Sequence, residues 1–296
     1  MSGRPDSTSE ARVIVFDGGR REARSDDLAT EEPLEIRLRA ASLDEAGTLN
    51  LQGPPRPRHR AVAVTMRTPG ADLELAAGFL YGEGIVRNPE EIEAIGHCED
   101  AGVAASKRFN IVNVDLRAAE LPDLDALHRH FHVTSACGVC GKTSLDALRL
   151  SASTPIPSGP VVPAEIVIGL PEKLRSGQGL FASTGGLHAA ALFDESGELL
   201  AVREDVGRHN AVDKLVGWAF RSGRLPLSRH LLMVSGRTSY EILQKAVMAG
   251  IPIVCAVSAP STLAVSVARE FGVTLVGFLR GGRFNVYAGA ERVAGP

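Results

Sequence analysis

The sequence predicts an α/β protein, α+β overall, with a mixed-sheet C-terminal domain and a smaller N-terminal α+β module. Three observations carry that expectation. Beyond residue 230 one scheme recurs: an apolar run, a short polar loop, then a helix-length segment ending near a glycine. Just before it, two apolar runs flank the turn DESG (194–197), as in a hairpin. In the first half, strand-like alternation surrounds one amphipathic helical segment. A length of 296 residues, 44% hydrophobic and 23% charged, is enough for one large domain or two modest ones with a buried core, and excludes disordered, collagen-like and disulfide-scaffold classes.

Taken in order, residues 1–30 mix charges of both signs with few apolar side chains and are expected to be a flexible tail. Residues 34–38 and 61–66 read as strands, separated by the turn-rich QGPPRPRH (52–59). Leu73, Ala76, Ala77 and Leu80 follow the i, i+3, i+4, i+7 spacing of a helix, closed by Gly82 and Gly84. Val112, Val114 and Leu116 alternate with Asn113 and Asp115 as in a half-buried strand. The Pro/Ser-rich stretch 151–163 is the candidate linker, so an N-terminal module is expected over 31–150, ending in the Cys-Gly-Val-Cys segment, and an α/β domain over 151–296. There, 189–193 and 199–203 form the hairpin, and a helical face follows over 211–220. Three strand runs come next, each with its loop: 231–234 with SGRTS (235–239), 251–257 with SAPST (258–262), and 273–279 with RGGRF (280–284). Helices ending at Met248 and Phe271 separate them, with Gly250 and Gly272 where C-caps belong. In such sheets ligands bind beyond the carboxyl ends of the strands, so these loops are expected to converge on one edge.

The apolar runs fall far short of the ~18 residues of a membrane span. The polar first dozen residues show no secretory signal, which makes the cytoplasm the expected compartment. A net charge of −3 argues against a general nucleic-acid binder. From Val202 onward, however, twelve Lys/Arg face six Asp/Glu, a local positive excess that suits an anionic ligand. Scattered arginines are most often solvated surface charge; Arg237, Arg280 and Arg283 differ in sitting in Gly-containing loops directly after apolar strands.

The sharpest chemical signal is Cys137-Gly-Val-Cys140-Gly. Three uses compete. A structural zinc site needs two further ligands; no second C-x-x-C follows, though His128, His130 and His132 could supply them, since strand alternation would put all three on one face. A thioredoxin-like dithiol lacks its βαβ context. A sulfur relay needs a low-pKa, reachable thiolate, which the Gly-rich turn, Lys142 and the histidines would favour. Spacing alone does not choose among them. Cys255, inside IPIVCAVS, reads as a buried small hydrophobe, and Cys98 has no sequence partner. The polar blocks 183–188, 203–210, 235–237 and 280–283 match neither the P-loop nor G-x-G-x-x-G, which disfavours nucleoside triphosphatase and NAD-binding readings. His209 and Asp205 could pair for acid–base work or merely fix a loop, and Asp213 and Lys214 read as a solvated helix face.

The blocks PGADLELAAGFLYGEGI (69–85), TSACGVCGK (134–142), TGGLHAAAL (184–192), REDVGRHNAVDKLVG (203–217), SGRTSYEILQKAVMAGIPI (235–253), SAPSTLAV (258–265) and GFLRGGRFNVY (277–287) together resemble the formate dehydrogenase accessory sulfurtransferase (FdhD) family over about residues 34–290. The resemblance implies a sulfur carrier that takes persulfide sulfur from a cysteine desulfurase. It would pass the sulfur to the molybdenum cofactor, in its bis(molybdopterin guanine dinucleotide) form, before insertion into formate dehydrogenase. It makes Cys137 the persulfide-bearing residue and Cys140 an auxiliary thiol, with no resident metal. The segment Phe278, Leu279, Arg280, Gly281, Gly282, Arg283, joined by Arg237, would contact the cofactor, which makes 151–296 the cofactor-binding domain. It also implies a C-terminal domain similar to the cytidine deaminase-like fold, although the deaminase zinc signature is absent. Ala136 departs from the Ser expected in many relatives. Expected partners are the desulfurase, formate dehydrogenase, the guanine-nucleotide-containing cofactor and a second copy of the chain in a homodimer, without nucleic acid or membrane. The rival readings are a non-enzymatic cofactor-binding chaperone with a structural metal at the cysteine pair, and a thiol oxidoreductase.

Overall fold

A computed structural model describes residues 5–40, 59–118, 120–122, 148, 156 and 158–295. Cys137, Cys140 and the three histidines before them lie outside the described residues. Within the stretch expected as a tail, Thr8–Asp17 (β1) and Arg20–Ala29 (β2) pair as an antiparallel hairpin. Its physical signal is Gly18-Gly19, both with positive φ, as a two-residue hairpin turn requires. The arm is mostly exposed, so burial patterning gave no cue to it.

Glu32–Ala40 (β3), His59–Arg67 (β4), Ile92–His97 (β5) and Ile111–Leu116 (β6) form a mixed sheet in the order β4-β3-β6-β5. Helix α1 (Asp72–Gly82) covers one face, where Leu75, Ala76, Ala77 and Leu80 meet Leu34, Ile36, Val112 and Val114. A short helix, Ala105–Arg108 (α2), precedes β6.

Val162–Pro163 (β7) leads into α3 (Ala164–Ser176) and α4 (Gly179–Thr184). The larger sheet is built from His188–Asp194 (β8), Leu199–Asp205 (β9), His230–Val234 (β10), Ile253–Ala256 (β11), Thr274–Arg280 (β12) and Arg283–Ala288 (β13). Its order is β13-β12-β11-β10-β8-β9, with β10, β11 and β12 parallel and the flanking strands antiparallel. The mixed sheet is thus as expected, but where the sequence predicts a closing loop the chain folds back through Gly281-Gly282 into a further strand, β13. Val293–Ala294 (β14) lies beside β7.

Helices α5 (Arg208–Arg221), α6 (Tyr240–Met248) and α7 (Thr262–Phe271) cover one face of this sheet and α3 the other. Successive residues of β10 serve opposite faces: Leu231 and Met233 join Val167, Leu170 and Leu174, whereas Leu232 and Val234 join Leu215, Ile242 and Ala246. Burial on both sides explains why the strand reads as an unbroken apolar run. The two units meet where α1 crosses α5. There Gly78 and Gly217 bring the backbones so close that a Cβ on Gly217 would lie 1.8 Å from the Glu74 carbonyl oxygen.

Candidate functional site: an anion-receptive sheet edge

The carboxyl ends of β10, β11 and β12, the start of β8 and the end of β9 fall on one edge of the large sheet. The loops there are stitched together by backbone bonds. Ser235 N–H donates to Ala189 O at 3.0 Å and Ala189 N–H to Ser235 Oγ at 2.9 Å. Ser261 N–H donates to Thr238 O at 2.9 Å, and Phe278 N–H to Ser258 O at 3.1 Å. The expected convergence of the 235–239, 258–262 and 278–283 loops is therefore observed.

Helices α5, α6 and α7 all begin at this edge, each immediately after one of its loops. Their first-turn N–H groups and the positive ends of their dipoles face the same region, which favours bound anions. Arg237, Arg280 and Arg283 are exposed, and no carboxylate partners any of them among the described residues. Arg208 Nε is buried in the same region without a hydrogen-bond partner among the described residues, as is the hydroxyl of Thr238. Such donor capacity at one edge favours a negatively charged ligand.

Within the 278–283 segment the roles divide. Leu279 is a core residue packed under the sheet, so its side chain is structural. Phe278 is half-buried with φ 52°, a left-handed conformation uncommon for a bulky residue, and the Arg280 guanidinium lies 5.9 Å from its ring centre. The preceding Gly277 is required by space: a Cβ there would sit 2.9 Å from the Tyr287 ring. Gly281 and Gly282 turn the chain, leaving Arg280 and Arg283 paired across the tip of the ribbon.

Two sequence expectations about charged residues are corrected. Asp213 and Lys214 do not form a solvated face; both are buried, because α5 is enclosed by the sheet, α1 and α6. Lys214 Nζ lies 2.7 Å from Asp205 Oδ2, and Lys245 Nζ lies 2.7 Å from Asp213 Oδ1. Burial pushes the Asp213 carboxyl up to about 6 against the pull of Lys245. His209 does not pair with Asp205 either: it contacts Ser239 and Glu241. His188, beside Gly236, is held below its ordinary pKa by burial and then by the charges of Arg208 and His209.

Cys255 is fully buried and its thiol is pushed up to about 12, the opposite of an activated thiolate; Cys98 is buried as well. Neither suits a sulfur relay. A 660 Å³ cavity on the N-terminal unit is lined by Glu90, Glu91 and Glu120 against the single cation Arg117, an acidic balance that does not match an anionic ligand. Among the described residues no helix is long and apolar enough to cross a membrane.

The fold and this edge define a mixed α+β protein with an anion-receptive loop cluster. The FdhD/NarQ family model matches residues 48–294, and the chain belongs to that family. It is 51% identical over 290 residues to the sulfur carrier protein FdhD of Streptomyces coelicolor, covering 97% of this chain and 96% of that protein. The protein of the same name from Sulfolobus acidocaldarius is 43% identical over 284 residues, covering 96% and 98%. A crystal structure from Desulfotalea psychrophila, described as that of a formate dehydrogenase accessory protein, shares the fold with a TM-score of 0.69 at 24% identity, over 97% of this chain and 99% of that one.

Proposed function

We propose that the chain is a sulfur carrier in formate dehydrogenase maturation, with Cys137 as the sulfur-bearing residue and the arginine-lined edge as the dock for its cargo's phosphates. In the loading step, the Cys137 thiolate attacks the outer sulfur of a persulfide on a cysteine desulfurase. A new S–S bond forms at Cys137, the donor's S–S bond breaks, and the electron pair leaves on the donor thiolate. The acceptor is the molybdenum cofactor in its guanine dinucleotide form, a substrate of this chain rather than its resident cofactor, and Cys140 is an auxiliary thiol. Free thiols fit a reducing cytoplasm. The likeness to the cytidine deaminase-like fold belongs to this same reading, as does assembly into a homodimer.

The observation that carries the proposal is the convergence on one sheet edge of three helix N-termini and three arginines with no carboxylate partner among the described residues, in a chain whose relatives are named sulfur carriers. Burial of Cys98 and Cys255 supports the choice of cysteine by contrast. The test is mass spectrometry after incubation with a desulfurase and cysteine. The peptide holding Cys137 should gain the mass of one sulfur, and Cys137→Ala should remove it; sulfur carried instead by Cys98 or Cys255 refutes the assignment.

A further inference from the structure

Two serines stand at equivalent places on the site edge, each the N-cap of a helix, and they behave differently. Ser261 caps α7 in the ordinary way, its Oγ accepting from Ala264 N–H at 3.2 Å. Ser239 has the extended backbone of an N-cap, yet its side chain makes no cap bond to α6. A capping serine is worth ~1 kcal/mol to its helix, so the diverted hydroxyl calls for an explanation. Ser239 Oγ lies 3.0 Å from His209 Nε2, and His209 Nδ1 lies 2.9 Å from Glu241 Oε2.

The chemistry of this chain of contacts fixes its polarity. An ionised carboxylate only accepts, so in the neutral imidazole Nδ1 carries the proton and Nε2 presents a lone pair. The Ser239 hydroxyl therefore donates to His209, and its oxygen lone pairs are left pointing away from the base. The hydrogen bond from His209 also holds Glu241 below the usual carboxylate range, which keeps it charged as the orienting group. This is the nucleophile, base and carboxylate order of an activated hydroxyl. The His209 and Glu241 side chains are 28% and 42% exposed, so the group is reachable, and Arg237 lies two residues before the serine.

We propose that Ser239, His209 and Glu241 form a nucleophilic-hydroxyl site for activated acyl esters, with Arg237 favouring esters that carry a negative group. Its nucleophile is a hydroxyl rather than a cysteine sulfur, and it shares Arg237 with the arginine-lined edge. As His209 Nε2 takes the hydroxyl proton, Ser239 Oγ bonds to the carbonyl carbon. The ester C–O bond then breaks, and His209 returns the proton to the leaving oxygen. Water, deprotonated by the same imidazole, attacks the acyl-serine, releasing the acid and restoring the hydroxyl, with no change of oxidation state.

The test is labelling of the full-length protein with a fluorophosphonate probe, followed by peptide mass spectrometry. The adduct should fall on Ser239 and not on Ser261, the built-in comparison. It should disappear in Ser239→Ala and form at least tenfold more slowly in His209→Gln, with circular dichroism confirming that both variants are folded. No adduct on Ser239 in the unmodified protein, which needs no variant to interpret, overturns the proposal, as does undiminished labelling of His209→Gln. The persulfide measurement reads Cys137 and this one reads Ser239, so either reading can fail without the other.

Discussion

Replacing Lys214 by Met tests how the site edge is held. The Lys214 ammonium uses all three donors: to Asp205 Oδ2 at 2.7 Å, Thr68 O at 2.9 Å and Glu204 O at 3.2 Å. Its side chain is 3% exposed and that of Asp205 is 0% exposed, so solvent does not replace a lost partner. Removing one member of a buried pair costs about 3–5 kcal/mol. Asp205 would keep three donors, Thr68 N–H, Gly207 N–H and Asn210 Nδ2, at 3.1, 2.8 and 2.9 Å. Those bonds put Lys214→Met at the lower end, about 3 kcal/mol. Adding Asp205→Asn removes the stranded charge, so the double variant should be more stable than the sum of the two single losses predicts, by at least about 1 kcal/mol. Urea unfolding with an unchanged m-value measures both quantities. A loss below about 1 kcal/mol for Lys214→Met, or strict additivity in the cycle, would refute the claim that this pair is a buried, coupled tether.

Gly217→Ala should destabilise the protein despite the better helix propensity of alanine, because its Cβ would lie 1.8 Å from Glu74 O and 2.7 Å from Gly78 N. Net of propensity, a loss of about 2 kcal/mol corresponds to a melting temperature lower by roughly 4–8 °C. Gly169→Ala in α3, with nothing within 4 Å of the new Cβ, should instead be neutral or stabilising. Equal melting temperatures for the two variants would contradict the close crossing. His188 should titrate below its ordinary 6.5, because burial and then Arg208 and His209 disfavour its charged form. Its contribution to stability is therefore present above pH 6.5 and lost as pH falls through the depressed folded value. Proton NMR of the ring should show the low midpoint, and Arg208→Ala should raise it; a lower midpoint in that variant would contradict the assigned cause.

Much of the large domain was legible because packing on both faces turns its parallel strands into apolar runs, and glycines mark the helix ends. Gly272 does cap α7 in the left-handed conformation, as expected. The convergence of the loops followed from the strands being parallel. What escaped lacked a local signal. The β1–β2 arm has little buried surface to impose a pattern, and its Gly18-Gly19 turn was the one readable clue. Burial of Asp213 and Lys214 depends on α1 lying against α5, which rests on two glycines too small to register in any hydrophobic period. The contact of His209 with Ser239 spans thirty positions and exists only because α5 and α6 start at the same edge.

That dependence assigns a task to the N-terminal unit. The segment from β4 into α1 is bonded to the strand and helix carrying Arg208 and His209 at several points. Asn210 Nδ2 donates to Met66 O at 2.7 Å, Val206 N–H to Thr68 Oγ1 at 3.2 Å, and Arg203 binds Glu74 with contacts of 2.5 and 2.9 Å. Lys214 and Asp205 both add bonds to Thr68. With the glycine crossing behind them, these bonds leave the start of α5 little freedom to shift relative to the sheet. Because any binding site depends on donor positions held within a fraction of an ångström, the small N-terminal sheet acts as the buttress of the edge at which α5, α6 and α7 begin. Weakening Asn210 or Thr68 should therefore disturb the ligand edge before it disturbs either hydrophobic core.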